Sequence, residues 1–191
     1  MANNTKEKLL ETGLDFFHEK GYHSSGIAQI LKKCNVPKGS FYHYFESKCD
    51  FASQILENYY SSFNEIQKKF LLNEELPPKE RMKVYFKELI KLQRSCDFKK
   101  GCLIGKFSSE NPNLDEAISK KISVIGQEVL NNLASCIKEG QSVGEITSVV
   151  KPKDLAQFVL SAWQGALIKM KSDESSKALD NFIDVVFKGL F

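Results

Sequence analysis

At 191 residues the chain is long enough for a small domain joined to a larger one. Its 42% hydrophobic and 27% charged content, with five prolines and no low-complexity tract, excludes a disordered or fibrous polymer. Five cysteines (Cys34, Cys49, Cys96, Cys102, Cys136) are an odd number without CxxC or CxxH spacing, which argues against a disulfide framework or a zinc site.

The net charge of +3 is small, but residues 20–48 hold five lysines (Lys20, Lys32, Lys33, Lys38, Lys48) against one acid, Glu46. A basic excess confined to one short stretch suits a phosphate-binding surface. The polar start, Met1 to Lys6, leads straight into an amphipathic segment, and no apolar stretch reaches membrane-spanning length. The reading is a cytoplasmic protein with no membrane partner.

Apolar positions follow helical spacing nearly everywhere and no period-2 run of β-branched residues occurs, so the expected fold class is all-α. A first helix is expected from Thr5, with Leu9, Leu10, Gly13, Leu14 and Phe17 on one face, to Gly21. A second starts at Ser24 or Ser25, shows Ile27, Ile30 and Leu31 at i, i+3, i+4, and ends at Cys34-Asn35, where Asn tolerates the left-handed exit. Pro37 fits the first turn of a short third helix, in which Phe41 and Phe45 face the core while Lys38, Ser40, Tyr42 and His43 face out. Ser47 caps a long fourth helix to about Leu72. Further helices are expected near 79–95, 102–110, 113–139, 152–171 and 174–190, punctuated by Gly101, Asn111-Pro112, Gly140, Gly144 and Pro152. The expected division is into residues 1–46 and 47–191, with the boundary near Ser47.

Two short helices joined by three or four residues, the second exposing small polar and basic groups, form the arrangement that places a recognition helix in a major groove. The donors this surface offers to phosphates and base edges are Ser24, Ser25, Lys38, Ser40, Tyr42, His43 and Lys48. A glycine inside a helix, Gly39, costs about 1 kcal/mol relative to Ala; the reason assigned is close approach of the backbone to DNA. Phe41, Phe45 and Tyr44 are read as packing residues, and Lys32 and Lys33 as a solvated face.

Across residues 5–56 these features resemble the TetR family of DNA-binding regulators. The resemblance is carried by Gly21-Tyr22-His23-Ser24-Ser25-Gly26-Ile27 through Ile30, then Val36-Pro37-Lys38-Gly39-Ser40-Phe41-Tyr42-His43-Tyr44-Phe45, then Ser47-Lys48. It implies that Ser25 and Tyr42 bind phosphates, that Lys38, Gly39 and Ser40 lie against base edges, and that His43 and Lys48 clamp the backbone. The chain departs from the family where it has Cys34-Asn35 in place of Ala-Gly, and Pro37 in place of Ser or Thr. The resemblance further implies a helical N-terminal DNA-binding domain followed by a helical domain that dimerises and encloses an effector pocket. The partner is then a pseudo-palindromic double-stranded DNA operator, read by a homodimer and released by a small-molecule or electrophile effector.

For the larger domain, the last two helices carry wide apolar stripes: Leu155, Phe158, Val159, Ala162, Ala166 and Met170, then Leu179, Phe182, Ile183, Val186 and Leu190. Stripes this wide can serve a core on one side and a partner on the other, and the small residues Ala162, Gly165 and Ala166 permit close helix approach. The homodimer interface is placed there. Cys102 opens a short helix beside Lys99 and Lys100, an environment that lowers a thiol pKa; the rival reading of Cys102 is a small core hydrophobe. The run around Gly101-Cys102-Leu103, with Trp163-Gln164-Gly165-Ala166, resembles the electrophile- and oxidant-responsive (N-ethylmaleimide-responsive) subgroup of the family. That resemblance implies a sensor cysteine at Cys102 and a reactive lysine at Lys171, with Lys169 the alternative. Relatives with the same Gly-Cys-Leu run bind small ligands such as unsaturated acids without thiol chemistry. Phe98, Phe107, Trp163 and Met170 are the residues expected to line a pocket.

No cofactor, metal or catalytic residue is assigned. A helical enzyme would need convergent acids, bases or a nucleophile with a partner, and all three histidines (His18, His23, His43) lie in the expected DNA-binding region. The rival non-enzymatic reading, a helical protein-interaction module or ligand-binding protein without sequence-specific DNA binding, does not require the constellation around Gly39.

Overall fold

The computed structural model describes residues 2–110 and 114–191. The helices are α1 (Ala2–Ser24), α2 (Ile27–Cys34), α3 (Lys38–Tyr44), α4 (Lys48–Ile66), α5 (Pro78–Ser95), α6 (Leu103–Ser108), α7 (Glu116–Ser142), α8 (Pro152–Asp173) and α9 (Lys177–Val185). Helices α4 and α9 each run on into a π-helical turn, Gln67–Leu71 and Val186–Leu190. Among the described residues there is no strand, and none of their helices is long and apolar enough to cross a membrane. The break expected at Asn111-Pro112 lies outside the described residues.

Local chemistry explains most boundaries. The helix of α1 loses regularity at Gly21 (φ 81°, ψ −179°), a conformation that only glycine adopts readily. Asn35 takes the left-handed conformation (φ 54°, ψ 46°) and the Val36 N–H donates back to the Leu31 carbonyl at 3.0 Å, which closes α2. The Ser47 hydroxyl accepts from the Asp50 N–H at 3.0 Å and caps α4 as expected. Two starts differ from expectation. Helix α2 begins at Ile27 behind Gly26, with no side-chain cap, because the Ser25 hydroxyl is turned inward. Pro37 is the residue before α3, held extended at ψ 146°, rather than its first helical residue.

The chain divides into two compact units, Met1–Ser61 with Cys102–Val124 and Ser62–Gly101 with Ile125–Phe191. The first unit thus continues past the boundary expected near Ser47, because Phe51, Ala52, Ile55 and Leu56 of α4 are buried in the same core as Leu9, Phe17, Ile30 and Phe41. Leu103, Phe107 and Ile118 complete that core from α6 and α7. Phe51 stands at its centre, with ring centroids 4.7 Å from Phe45, 5.2 Å from Phe41 and 6.0 Å from Phe17. In the second unit Phe86 of α5 plays the equivalent part, 4.9 Å from Phe182 and 5.2 Å from Trp163. A polar seam runs along one face of α7: Asn132 donates to Gln67 at 3.1 Å, Cys136 to the Pro78 carbonyl at 3.2 Å, and Glu139 pairs with buried Arg81.

Gly13 marks how tightly α1 lies on α4. A Cβ there would stand 2.3 Å from Phe51 Cζ and 2.7 Å from Ile55 Cδ1. Helix propensity favours Ala over Gly by about 1 kcal/mol, whereas forcing a methyl into a closed core costs about 1–3 kcal/mol. The ring of Phe51 is fully enclosed by Phe17, Phe41 and Phe45, so steric cost wins. Gly13→Ala is expected to lower stability by about 1 kcal/mol or more in urea unfolding; a more stable variant would show that α1 and α4 can separate.

Candidate nucleic-acid interface

Helix α3 has only seven residues, and two faces share them. Phe41 and Phe45 are wholly enclosed, locked to Phe51, while Lys38, Gly39, Tyr42 and His43 are exposed and Ser40 is half-buried. Tyr42, at 53% exposure, is a large aromatic with a hydroxyl held out in water. The Lys38 ammonium lies 5.9 Å from the Tyr42 ring centre. A Cβ added to Gly39 would meet nothing within 4 Å. No internal packing demand therefore explains this glycine.

The entrance to α2 is organised differently from expectation. Ser24 is exposed, but Ser25 is wholly buried and its hydroxyl lies 2.6 Å from the Gly21 carbonyl and 3.1 Å from the Phe16 carbonyl. Its one hydroxyl proton is engaged in closing the α1–α2 turn, which corrects the expectation that it is offered to a phosphate. Lys48, at the start of α4, is half-buried: its ammonium sits 4.4 Å from the Tyr22 ring centre and donates to the His23 carbonyl at 3.3 Å. Burial lowers its pKa, against the opposing pull of Glu110 and Asp115. A lysine ammonium has three donors, so this bond does not exhaust its capacity.

Glu110 and Asp115 went unnoticed in the sequence, since neither sits in a recognisable motif. The Glu110 carboxylate accepts from the Tyr22 and His23 N–H groups, each at 2.9 Å, and the Tyr22 hydroxyl donates to Asp115. Burial, then the Asp115 carboxylate, raises the Tyr22 pKa, which keeps the phenol protonated as the donor. These contacts join residues 87 to 93 positions apart, beyond the reach of local pattern.

The residues expected to sense an effector are divided between the two units. Cys102, in the first unit, is the N-cap of α6; its Sγ accepts from the Gly105 N–H at 3.4 Å, and the next N–H, of Leu103, donates to the Tyr59 hydroxyl at 3.2 Å. Phe107, expected at a pocket wall, is wholly buried in the first unit's core, 5.4 Å from Phe17 and 5.8 Å from Tyr22. Trp163 and Met170 are buried in the second unit. Phe98 is half-buried there at φ 60°, its N–H donating to the Gln93 carbonyl at 2.9 Å. Lys169 and Lys171 are exposed on either side of Met170, with Lys169 paired to Asp173 at 2.7 Å. Among the other thiols, burial pushes Cys136 up to about 11 and also raises Cys49, while Cys34 is buried.

Residues 9–55 match the family described as bacterial regulatory proteins, tetR family, and residues 78–186 match the tetracyclin repressor-like, C-terminal domain. The HTH-type transcriptional repressor DhaR of Mycobacterium sp. (strain GP1) is 35% identical over 97% of this chain and 91% of its own length. A solved regulatory protein TetR from Rhodobacter sphaeroides superposes with a TM-score of 0.85 at 30% identity, covering 92% of this chain and 93% of that one. The reduced form of Escherichia coli NemR superposes with a TM-score of 0.78 at 29% identity, covering 94% and 93%. The exposed polar face of α3, the helix pair that carries it and these matches agree: the chain belongs to the TetR family and is a DNA-binding transcriptional regulator, not an enzyme.

Proposed function

We propose that the protein is a homodimeric repressor that reads a pseudo-palindromic operator with two copies of α3 and leaves it when an electrophile or small ligand acts at the segment opened by Cys102. The observation that carries the DNA half of this reading is Gly39: a helical glycine on an exposed face, with nothing in its own chain within 4 Å of a Cβ. It has a use when another molecule's surface comes up to the backbone. Lys38 and Ser40 beside it then face base edges, Tyr42 and His43 face the sugar-phosphate backbone, and Lys48 and Ser24 flank them. The Ser25 hydroxyl is not among the contacts.

The dimer reading rests on how the apolar stripe of α8 separates. Leu155, Val159, Trp163 and Met170 are buried, whereas Phe158 (59% exposed) and Ile168 (73%) stand outside on the same helix with Gly165 between them. On α9, Val185 is likewise exposed (55%), with Gly189 one turn further along. Neither glycine meets anything within 4 Å of a Cβ. A second copy related by a two-fold axis would cover these positions and let helices approach at the glycines. Reading a two-fold operator asks for two α3 helices about 34 Å apart, one turn of duplex.

For release, a Michael acceptor such as N-ethylmaleimide would form a C–S bond with the Cys102 thiolate, and the alkene electron pair would take up a proton at the neighbouring carbon. The capping acceptor at the start of α6 would then carry a bulky substituent. A relative solved in a form called reduced fits thiol chemistry of this kind.

Four outcomes are expected on duplex DNA selected by the wild-type protein from a random pool. Gly39→Ala keeps or raises fold stability, by up to about 1 kcal/mol, yet weakens binding; full affinity would remove the argument from Gly39. Lys48→Ala flattens the slope of log affinity against log salt by about one, while Tyr42→Phe, which removes no charge, lowers affinity at unchanged slope. A wild-type slope in Lys48→Ala would mean that its ammonium serves only the His23 carbonyl. Cys102→Ser keeps a capping oxygen at α6, so DNA binding should survive while release by N-ethylmaleimide is lost; release that persists in this variant counts against the thiol switch.

A further inference from the structure

Glu110 lies just past the end of α6, far in sequence from every residue that faces DNA, yet its carboxylate is committed to the turn that leads into α2. We infer that Glu110 is a positioning residue for DNA binding: it holds the Gly21–His23 turn in the one geometry that sets the entry of α2 and the seat of Lys48. This role rests on the reading of α2 and α3 as the DNA-binding face.

Each oxygen of Glu110 takes one backbone N–H, Oε1 from Tyr22 and Oε2 from His23, both at 2.9 Å. Hydrogen bonds to an ionised acceptor are roughly twice as strong as neutral ones, and the paired arrangement fixes direction as well as distance. The approach is so close that a Cβ on Gly21 would lie 1.8 Å from Glu110 Oε1. Gly21 therefore answers two demands, its positive φ and the space its partner needs.

Several of the turn's other contacts lead to the interface. The Gly21 carbonyl accepts from the Ser25 hydroxyl, the residue before the Gly26 N-cap of α2. The Tyr22 ring carries the Lys48 ammonium on its face, and the His23 carbonyl accepts a bond from the same ammonium. Asp115 holds the far end of Tyr22, and Phe107, three residues before Glu110, packs on Tyr22 and Phe17. Without the carboxylate, the two N–H groups lose their acceptors and the turn loses the contact that fixes its direction.

Electrostatics and geometry predict opposite signs here. Deleting a negative charge close to a phosphate-binding surface should, by field alone, strengthen DNA binding. Loss of a positioning contact should weaken it. The test compares Glu110→Ala and Glu110→Gln in the full chain, on duplex DNA selected by the wild-type protein from a random pool. Amide exchange is followed at Tyr22 and His23, and far-UV circular dichroism checks that each variant is folded.

The expected result in Glu110→Ala is exchange at Tyr22 and His23 faster by about tenfold or more, and affinity lower by about tenfold or more, the scale set by losing two bonds to a charged group. The salt slope should flatten by no more than about one, the share of a displaced Lys48, because Glu110 itself touches no phosphate. Glu110→Gln, which removes the same charge but keeps one acceptor oxygen, should fall between. Equal or higher affinity in both variants overturns the positioning role, as does exchange unchanged at the two amides. If the wild-type protein selects no duplex, the DNA-binding reading falls and this role with it; a failure confined to the variants removes the role of Glu110 alone.

Discussion

A helix of seven residues has no stability of its own in water, because nucleating the first turn costs more than so few hydrogen bonds return. Helix α3 exists because Phe41 and Phe45 are clasped by Phe51. This aromatic contact also sets the direction of everything on the opposite face. With Phe41 and Phe45 immobilised, the rotation of α3 about its axis is fixed, and Lys38, Gly39, Tyr42 and His43 can point only outward. Specificity for a base edge depends on placing a side chain to within a fraction of an ångström. The stiffness needed for that comes from a hydrophobic cluster that never touches DNA.

The features legible in the sequence are those whose causes are local. Asn35 as a left-handed exit, Ser47 as a cap and the Phe41/Phe45 spacing each depend on residues within four positions, and each appears in the structure as expected. Ser25 differs from expectation for a related reason: its residue type suggests a phosphate ligand, but whether a hydroxyl points out or in is decided by the Gly21 break and the core beneath it. The expectation that Phe107 lines a pocket rests on its residue type alone. In fact α6 folds back on α1, a pairing across about ninety residues that no periodicity encodes. Glu110 and Asp115 were invisible on the same account. A lone acid after a short helix resembles any solvated surface charge until its partner is known.

The second unit shows how one stripe can hide two surfaces. Read along the sequence, α8 offers an undivided apolar band; in the folded chain Val159 and Trp163 go inside while Phe158 and Ile168 stay out. A helix whose apolar residues cover more than the arc facing its own core has surplus surface, and the proposed homodimer gives that surplus a use. The polar seam of Gln67, Asn132, Cys136, Arg81 and Glu139 has the opposite character: polar side chains gathered where the apolar core would otherwise continue.

Gly21 also bears on how this chain can vary. Its φ of 81° bars an ordinary side chain on conformational grounds, and Glu110 Oε1 bars it on steric grounds. Shortening residue 110 relieves only the second barrier, so no single compensating change frees position 21. The reverse path is blocked as well, because a carboxylate at 110 has a use only where the backbone opposite it turns sharply enough to present two N–H groups together. A side chain at position 21 therefore asks for a shorter residue at 110 and a different backbone turn at once, a constraint that ties two positions far apart in sequence through the geometry of one turn.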